Sequence, residues 1–304
     1  MELKNFFSNR IKLISVAIII TTIIFMIFRI LFPYFDFPFF MEGPFDADFN
    51  ILIDHMKGGL AHFYDEDKKV AAIYLYYWYF IFLPFYIIPP QISVYLWDFL
   101  RLVTYLYVIN NIQKISKNDF AIYTFILLSY IGFFFDAYLG NSNFLILFFL
   151  FLSYIYLEKQ KIWLSGIFFA LACFKLTSII FLILWLILKK MKFRDTPKYL
   201  VPLLLLLIPY FIFPTLLLQF INNIFILEGF RGEIIEPPDY GNPVLNFLAQ
   251  IYLFIWQALQ PAQIMFYAFL VFFLMIYFVE RKKKKEQNNL KNPFIQNLKE
   301  EKRQ

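Results

Sequence analysis

The feature that most constrains this chain is the recurrence of apolar runs about as long as a membrane is thick. The first, Ile11 to Phe32, carries one charge after Lys12, at Arg29. Hydrocarbon about 30 Å deep takes about 20 helical residues to cross, and backbone groups inside it must be hydrogen-bonded within the segment. Further runs at 92–112, 119–135, 143–157, 162–174, 176–188, 199–220 and 262–280 predict an all-α, polytopic membrane protein of about eight transmembrane helices. A mean hydropathy of +0.63 and a 61% hydrophobic composition exclude an ordinary soluble domain. The first run is too long for a signal-peptide core and has no small-residue cleavage site. The lone Cys173 lies in an apolar run, which leaves no disulfide framework and no cysteine-based metal site.

Two more apolar runs, 71–90 and 244–258, decide the topology. If both cross, the basic segments "QKISK", "KKMKFR" and "RKKKK" cannot all lie on the side of the N-terminus. If both rest at the interface, every basic segment falls on one side, and the Tyr, Trp and Pro content of 71–90 suits a helix at the headgroup level. The second arrangement leaves twenty-one of the twenty-eight Lys and Arg in short loops and termini, counting Lys12 at the mouth of the first span. It places both termini in the cytoplasm and the long loops 33–91 and 221–261 outside. Residues 1–280 then form one transmembrane domain and 281–304 a basic cytoplasmic tail. The +6 formal charge therefore reads as topology, not as a nucleic-acid surface.

The ionisable groups left over converge on the outer side: Arg29, Asp98, Arg101, Asp136 and Lys175. Asp98 and Arg101 stand at i and i+3, so they either neutralise each other or hold an anionic headgroup, for which a guanidinium is suited. Lys175 separates two short apolar segments. A hairpin there spares it a place near the bilayer centre, where a lysine costs about 2.5–3.5 kcal/mol, and delivers a cation to the acidic side. In the first outer loop, "FFMEGPFDADFNILIDHMKGGLAHFY" sets Asp46 and Asp48 before a weakly amphipathic segment. Three readings of this D-x-D stand: Asp48 as a helix N-cap, a divalent-cation site short of ligands, or Asp48 as a general base at the membrane surface. His55 and His62 lack a third metal ligand and read as loop or substrate contacts.

The order of these features resembles the GT-C superfamily of polyprenyl-phosphate-sugar-dependent glycosyltransferases. It is most like glycosyltransferase family 87, through "DFNILIDHMKGGLAHFY", then Gly140, Asn141 and Asn143, Gly166, the Lys175-Leu176-Thr177 triplet, and Gly241-Asn242. The aspartate motif is also similar to that of the first mannosyltransferase of GPI-anchor synthesis. The sequence departs where the family's Y-P-P is reduced to Tyr74 followed by Leu75 and Tyr76, and at Ser178, Pro243 and Val244, where the family carries other residues.

The resemblance implies an inverting transfer of a hexose, mannose by preference. The donor is a polyprenyl- or dolichyl-phosphate sugar and the acceptor a glycolipid or glycan on the non-cytoplasmic face, with no cofactor and no metal. It casts Asp48 as the catalytic base, Lys175, Arg101 and Arg231 as holders of the donor phosphate, and Asp46, His55, Tyr64, Asn141, Asn143 and Asn242 as substrate contacts. Two rival functions stay open on the residues alone: a transporter or flippase for an anionic lipid, and an inactive partner subunit of a glycosyltransferase complex. A transporter would place its polar groups at the midplane of repeated halves, and no clear repeat is present.

Overall fold

A computed structural model describes residues 2–31, 46–64, 74–225 and 264–290. Among them every regular element is helical. The helices are α1 (Glu2–Leu31), α2 (Ala47–Met56), α3 (Trp78–Ile87), α4 (Pro90–Asn111), α5 (Asp119–Leu139) and α6 (Asn143–Glu158). They continue with α7 (Ile162–Ala172), α8 (Ile180–Ile187), α9 (Thr196–Leu206), α10 (Ile208–Ile212), α11 (Pro214–Phe225) and α12 (Ile264–Leu290).

Four segments are long and apolar enough to cross a membrane: Ile11–Leu31, Pro90–Lys114, Asp119–Leu139 and Ile264–Lys282. Their outward faces show what they touch, since Ile20, Ile23, Ile27 and Phe28 of α1 and Leu127 and Phe134 of α5 are exposed. Such a surface suits lipid and no aqueous phase. The remaining expected spans take other forms. A helix as short as α7 rises only about 16 Å, about half the hydrocarbon depth. The run 199–220 is not one helix but three: α9 continues through Pro202, but Pro209 and Pro214 lack an N–H for the ladder and stand at the starts of α10 and α11. The described part of 71–90 contributes the short helix α3, which carries Pro84 and buries Trp78 and Phe82. Residues 244–258 lie outside the described residues.

The core is aromatic. α12 runs along α5, where Phe125 meets Phe269 and Phe272, and Phe181 of α8 packs on Phe269 and Phe273. Close approach there depends on Gly132, since a Cβ at that position would sit 2.3 Å from the Met265 backbone nitrogen. Small residues serve helix pairs in lipid in this way, because apolar burial alone gives little driving force between helices.

The chain order fixes what stands at each end. The C-terminal ends of α1, α5 and α7 and the N-terminal ends of α2, α4 and α6 gather at one end of the bundle. Short basic turns around Lys114, Lys159 and Lys190 occupy the other.

Candidate functional site

The site is built around the turn that joins α5 to α6. Gly140 ends α5 in the left-handed conformation, φ 69°, and its N–H returns to the Asp136 carbonyl. A side chain there would also collide with Phe49, whose Cβ lies 2.7 Å from the position a Cβ would take. Phe49 itself is fixed by Phe82 and Trp97. The aromatic residue after Asp48 and the glycine before Asn141 are therefore two sides of one contact. Through it α2 is pressed against the turn.

Asp46 precedes α2 with φ 58°, and its N–H donates to the Tyr138 carbonyl at 3.0 Å. Its carboxylate caps nothing. Instead it takes two donors of Arg29, Nε at 2.5 Å and Nη2 at 2.7 Å. The N-cap reading of Asp48 is accordingly corrected: Asp48 lies in the first turn of α2, its carboxylate accepting from the Asn141 carboxamide nitrogen.

Arg29 also pairs with Asp98, which pairs with Arg101 across the expected helical step. Arg101 reaches on to Asp136 through Nε at 3.1 Å and to the Asn141 carbonyl through Nη2 at 3.3 Å. Asp98, Arg101 and Asp136 are 2%, 1% and 0% exposed. Charges buried this deeply persist only when paired and hydrogen-bonded. Asp136 fixes the turn as well, accepting the Asn143 N–H at one carboxylate oxygen, 3.0 Å, and the Asn141 N–H at its carbonyl, 2.9 Å.

Lys175 arrives from the end of α7. Its ammonium donates to Asn141 Oδ1 at 2.8 Å and to Asn143 Oδ1 at 3.0 Å, and lies 5.3 Å from the centre of the Tyr74 ring. The backbone on either side is tied in, since the Leu75 N–H donates to the Phe174 carbonyl at 2.9 Å and Trp78 stacks on Phe174 at 4.2 Å. Burial pushes the lysine below its ordinary proton affinity, while Asp48 and Asp136 pull it back up. At Asp46 burial raises the carboxyl above its ordinary range and the Arg29 contact opposes it.

The geometry joins Asp48, Asn141, Asn143 and Lys175 in one hydrogen-bonded chain, with Asp46 two residues away on its own guanidinium. Other expected contacts fall elsewhere. Arg101 turns its donors to Asp98, Asp136 and a backbone carbonyl, so the described geometry makes it a brace of the turn rather than an exposed anion holder. Tyr64 is fully buried and hydrogen-bonds the Tyr74 carbonyl at 2.7 Å and the Tyr210 hydroxyl at 2.6 Å, which fastens the segment at Tyr74 instead of facing a substrate. His55 is 2% exposed, with its ring against Phe63. Gly58 and Gly59, both at positive φ, place His62 on a separate 3-10 turn. Arg231 and Asn242 lie outside the described residues. Sequence reasoning missed Tyr74 as the floor beneath Lys175. The only signal for it was its position as the surviving tyrosine of a degraded motif.

The model of Glycosyltransferase family 87 matches residues 74–290, about seven-tenths of the sequence. The chain belongs to glycosyltransferase family 87. The match begins at Tyr74 and takes in the Asn141–Asn143 turn, Lys175 and the α5–α12 pair, while Asp46 and Asp48 precede it. No curated protein and no solved structure matches the chain. This family-87 member is thus a membrane glycosyltransferase by its family and its helices. The charged turn at the end of its bundle is its candidate active site.

Proposed function

We propose that this membrane glycosyltransferase moves a hexose, mannose in our reading, from a polyprenyl- or dolichyl-phosphate donor to a lipid-linked or glycan acceptor, with inversion. The observation that carries the reading is the Asn141 carboxamide, which bonds the Asp48 carboxylate on one side and the Lys175 ammonium on the other. A base and a cation so disposed suit an in-line displacement. The acceptor hydroxyl attacks the anomeric carbon and passes its proton to an Asp48 oxygen. The bond from that carbon to the phosphate oxygen breaks, and the leaving phosphate keeps the electron pair beside Lys175. Preorganised cations aimed at the oxygen where charge develops are among the strongest catalytic devices, with roughly 10²–10³ in rate lost when one donor is removed. Arg231 is kept in the proposal as a second phosphate contact, and Asn143 and Asn242 as substrate contacts.

The excess of basic residues in the short loops supports a non-cytoplasmic active site with both termini in the cytoplasm. A transporter for an anionic lipid would be better served by polar groups at mid-depth than by the gathering at one end of the bundle seen here.

Purified protein in liposomes, incubated with polyprenyl-phosphate hexoses and a panel of glycolipid and glycan acceptors, tests the proposal by mass spectrometry of the products. A hexose added to one acceptor, with matching release of free polyprenyl phosphate, is the expected result. Accumulation of a nucleotide-sugar-dependent product instead, or none with any lipid-phosphate donor, would overturn it.

A further inference from the structure

Asp48 and Lys175 have every electrostatic reason to form a direct ion pair. In a partly dry site an ammonium and a carboxylate attract strongly, and each would quench the other. Among the described residues, however, no carboxylate stands within ion-pair distance of Lys175. Its hydrogen-bond partners are two carboxamide oxygens.

Asn141 is built to keep that arrangement. An ammonium only donates and an ionised carboxylate only accepts, so Lys175 must face the carboxamide oxygen and Asp48 the nitrogen. The Ser142 N–H, 2.6 Å from the same oxygen, demands the same orientation. Three partners therefore agree on which way the amide points. Its backbone is held equally firmly. The N–H is taken by Asp136, and the carbonyl receives Arg101 Nη2 at 3.3 Å and Trp97 Nε1 at 3.2 Å. Gly140, seated against Phe49, fixes the turn from the other side. A side chain so braced cannot swing aside to let the two charges meet. Because it is 7% exposed and engaged at both ends, Asn141 is better placed to act on these two groups than on a substrate.

We propose that Asn141 is a positioning residue whose uncharged carboxamide spaces Asp48 from Lys175, holding both within reach of one ligand while preventing them from neutralising each other. Its part in transfer rests on the function proposed above; the spacing itself does not. When a donor phosphate enters, the ammonium can exchange an amide oxygen for a phosphate oxygen, and the Asn141 oxygen still has the Ser142 N–H. Asp48 keeps its amide donor and stays oriented toward the acceptor.

Competitive acetylation, followed at the Lys175 peptide by mass spectrometry across pH, reads the protonation of that lysine with or without turnover. Asn141→Leu, similar in size and unable to bridge, is expected to let the ammonium close on Asp48 and to raise its titration midpoint by about 1–3 pH units, the range for an opposite charge brought into contact. Adding Asp48→Asn should cancel the rise. Asn141→Gln, which keeps the amide, should hold the midpoint near that of the unaltered protein. Asn141→Ala carries the same expectation as the leucine variant should the latter not fold. A midpoint that stays put or falls in these variants, or a rise that survives Asp48→Asn, would overturn the spacer. A merely architectural residue would cost stability without any Asp48-dependent change at Lys175.

In parallel, transfer from a polyprenyl-phosphate hexose should show a higher donor KM and a kcat lower by roughly 10²-fold in Asn141→Leu, with the basic limb of its pH profile moved upward. Absence of turnover in the unaltered protein would sink the transfer reading alone, because the titration decides the spacer independently.

Discussion

The two ends of this bundle hold pairs of opposite charge in opposite surroundings. At one end Arg29, Asp46, Asp98, Arg101 and Asp136 are drawn into a continuous network, three of its members almost wholly out of solvent. At the other, Lys190 and Glu280 meet at 3.1 Å with the glutamate side chain 48% exposed. A basic group in a short turn records on which side of the membrane the turn was left, and water supports it whether or not it has a partner. A charge buried at the opposite end stays only if the fold supplies counter-charges and hydrogen bonds, and that requirement couples α1, α2, α4, α5 and α6 into one frame. The difference separates charge left to solvent from charge that the fold must hold.

The largest break in this comparison should come from Asp48→Asn. If Asp48 accepts the acceptor's proton, the variant loses transfer by roughly 10²–10⁴-fold, the span attributed to a positioned general base. The variant should still fold and bind donor, because the carboxamide keeps an oxygen for Asn141. Turnover in liposomes, with donor binding measured separately, checks both halves; undiminished transfer would remove Asp48 from the chemistry.

Next comes the frame itself. Arg101→Leu leaves Asp136, fully buried, without its guanidinium and takes a second partner from Asp98. Stranding a buried charge costs about 3–5 kcal/mol, so thermal unfolding in detergent should begin at a clearly lower temperature. The same substitution sharpens the assignment of Arg101. A loss of stability with donor affinity retained in the surviving folded fraction makes it a brace, whereas weakened donor binding at unchanged stability would restore it as a phosphate contact.

Lys175→Met should weaken donor binding and slow transfer by roughly 10²–10³-fold. Its protonation also predicts a pH dependence. In the proposed transfer the ammonium is the form that meets the phosphate, and burial lowers its proton affinity below the ordinary lysine value of 10.5. Activity should therefore fall as pH rises through the lowered value, earlier than an ordinary lysine allows. Lys175→Arg, which keeps its charge throughout, should move that basic limb upward wherever it retains activity.

The sequence carried much of this frame and little of its joinery. Apolar run length marks α1, α4, α5 and α12 because lipid imposes it, and the helical step between Asp98 and Arg101 makes that pair readable from spacing alone. Nothing in spacing ties Arg29 to Asp46, or Lys175 to Asn141 thirty-four positions earlier, because those contacts exist only once the helices stand side by side. Prolines in 199–220 were visible, yet hydropathy averages over them and so reads three helices as one. Tyr64 and His55 look like substrate contacts in a polar loop because the sequence alone does not show that the loop folds inward, covering both.

The smallest effect belongs to the opposite end. Lys190→Ala removes one partner of an ion pair whose glutamate is half in water, and such pairs are worth about 0–1 kcal/mol. Salt at 0.15 M, with a screening length of about 8 Å, reduces an exposed pair further, whereas the buried network feels it far less. Unfolding of Lys190→Ala and Arg101→Leu should therefore diverge as ionic strength is lowered: the Lys190 variant departs slightly from the unaltered protein only at low salt, and the Arg101 variant departs by the same large amount throughout. If the two variants respond to salt alike, the opposition between a solvated end and a sequestered one is wrong, and Arg101 is then reached by water through a path the packing of Trp97, Phe144 and Asn141 around it does not suggest.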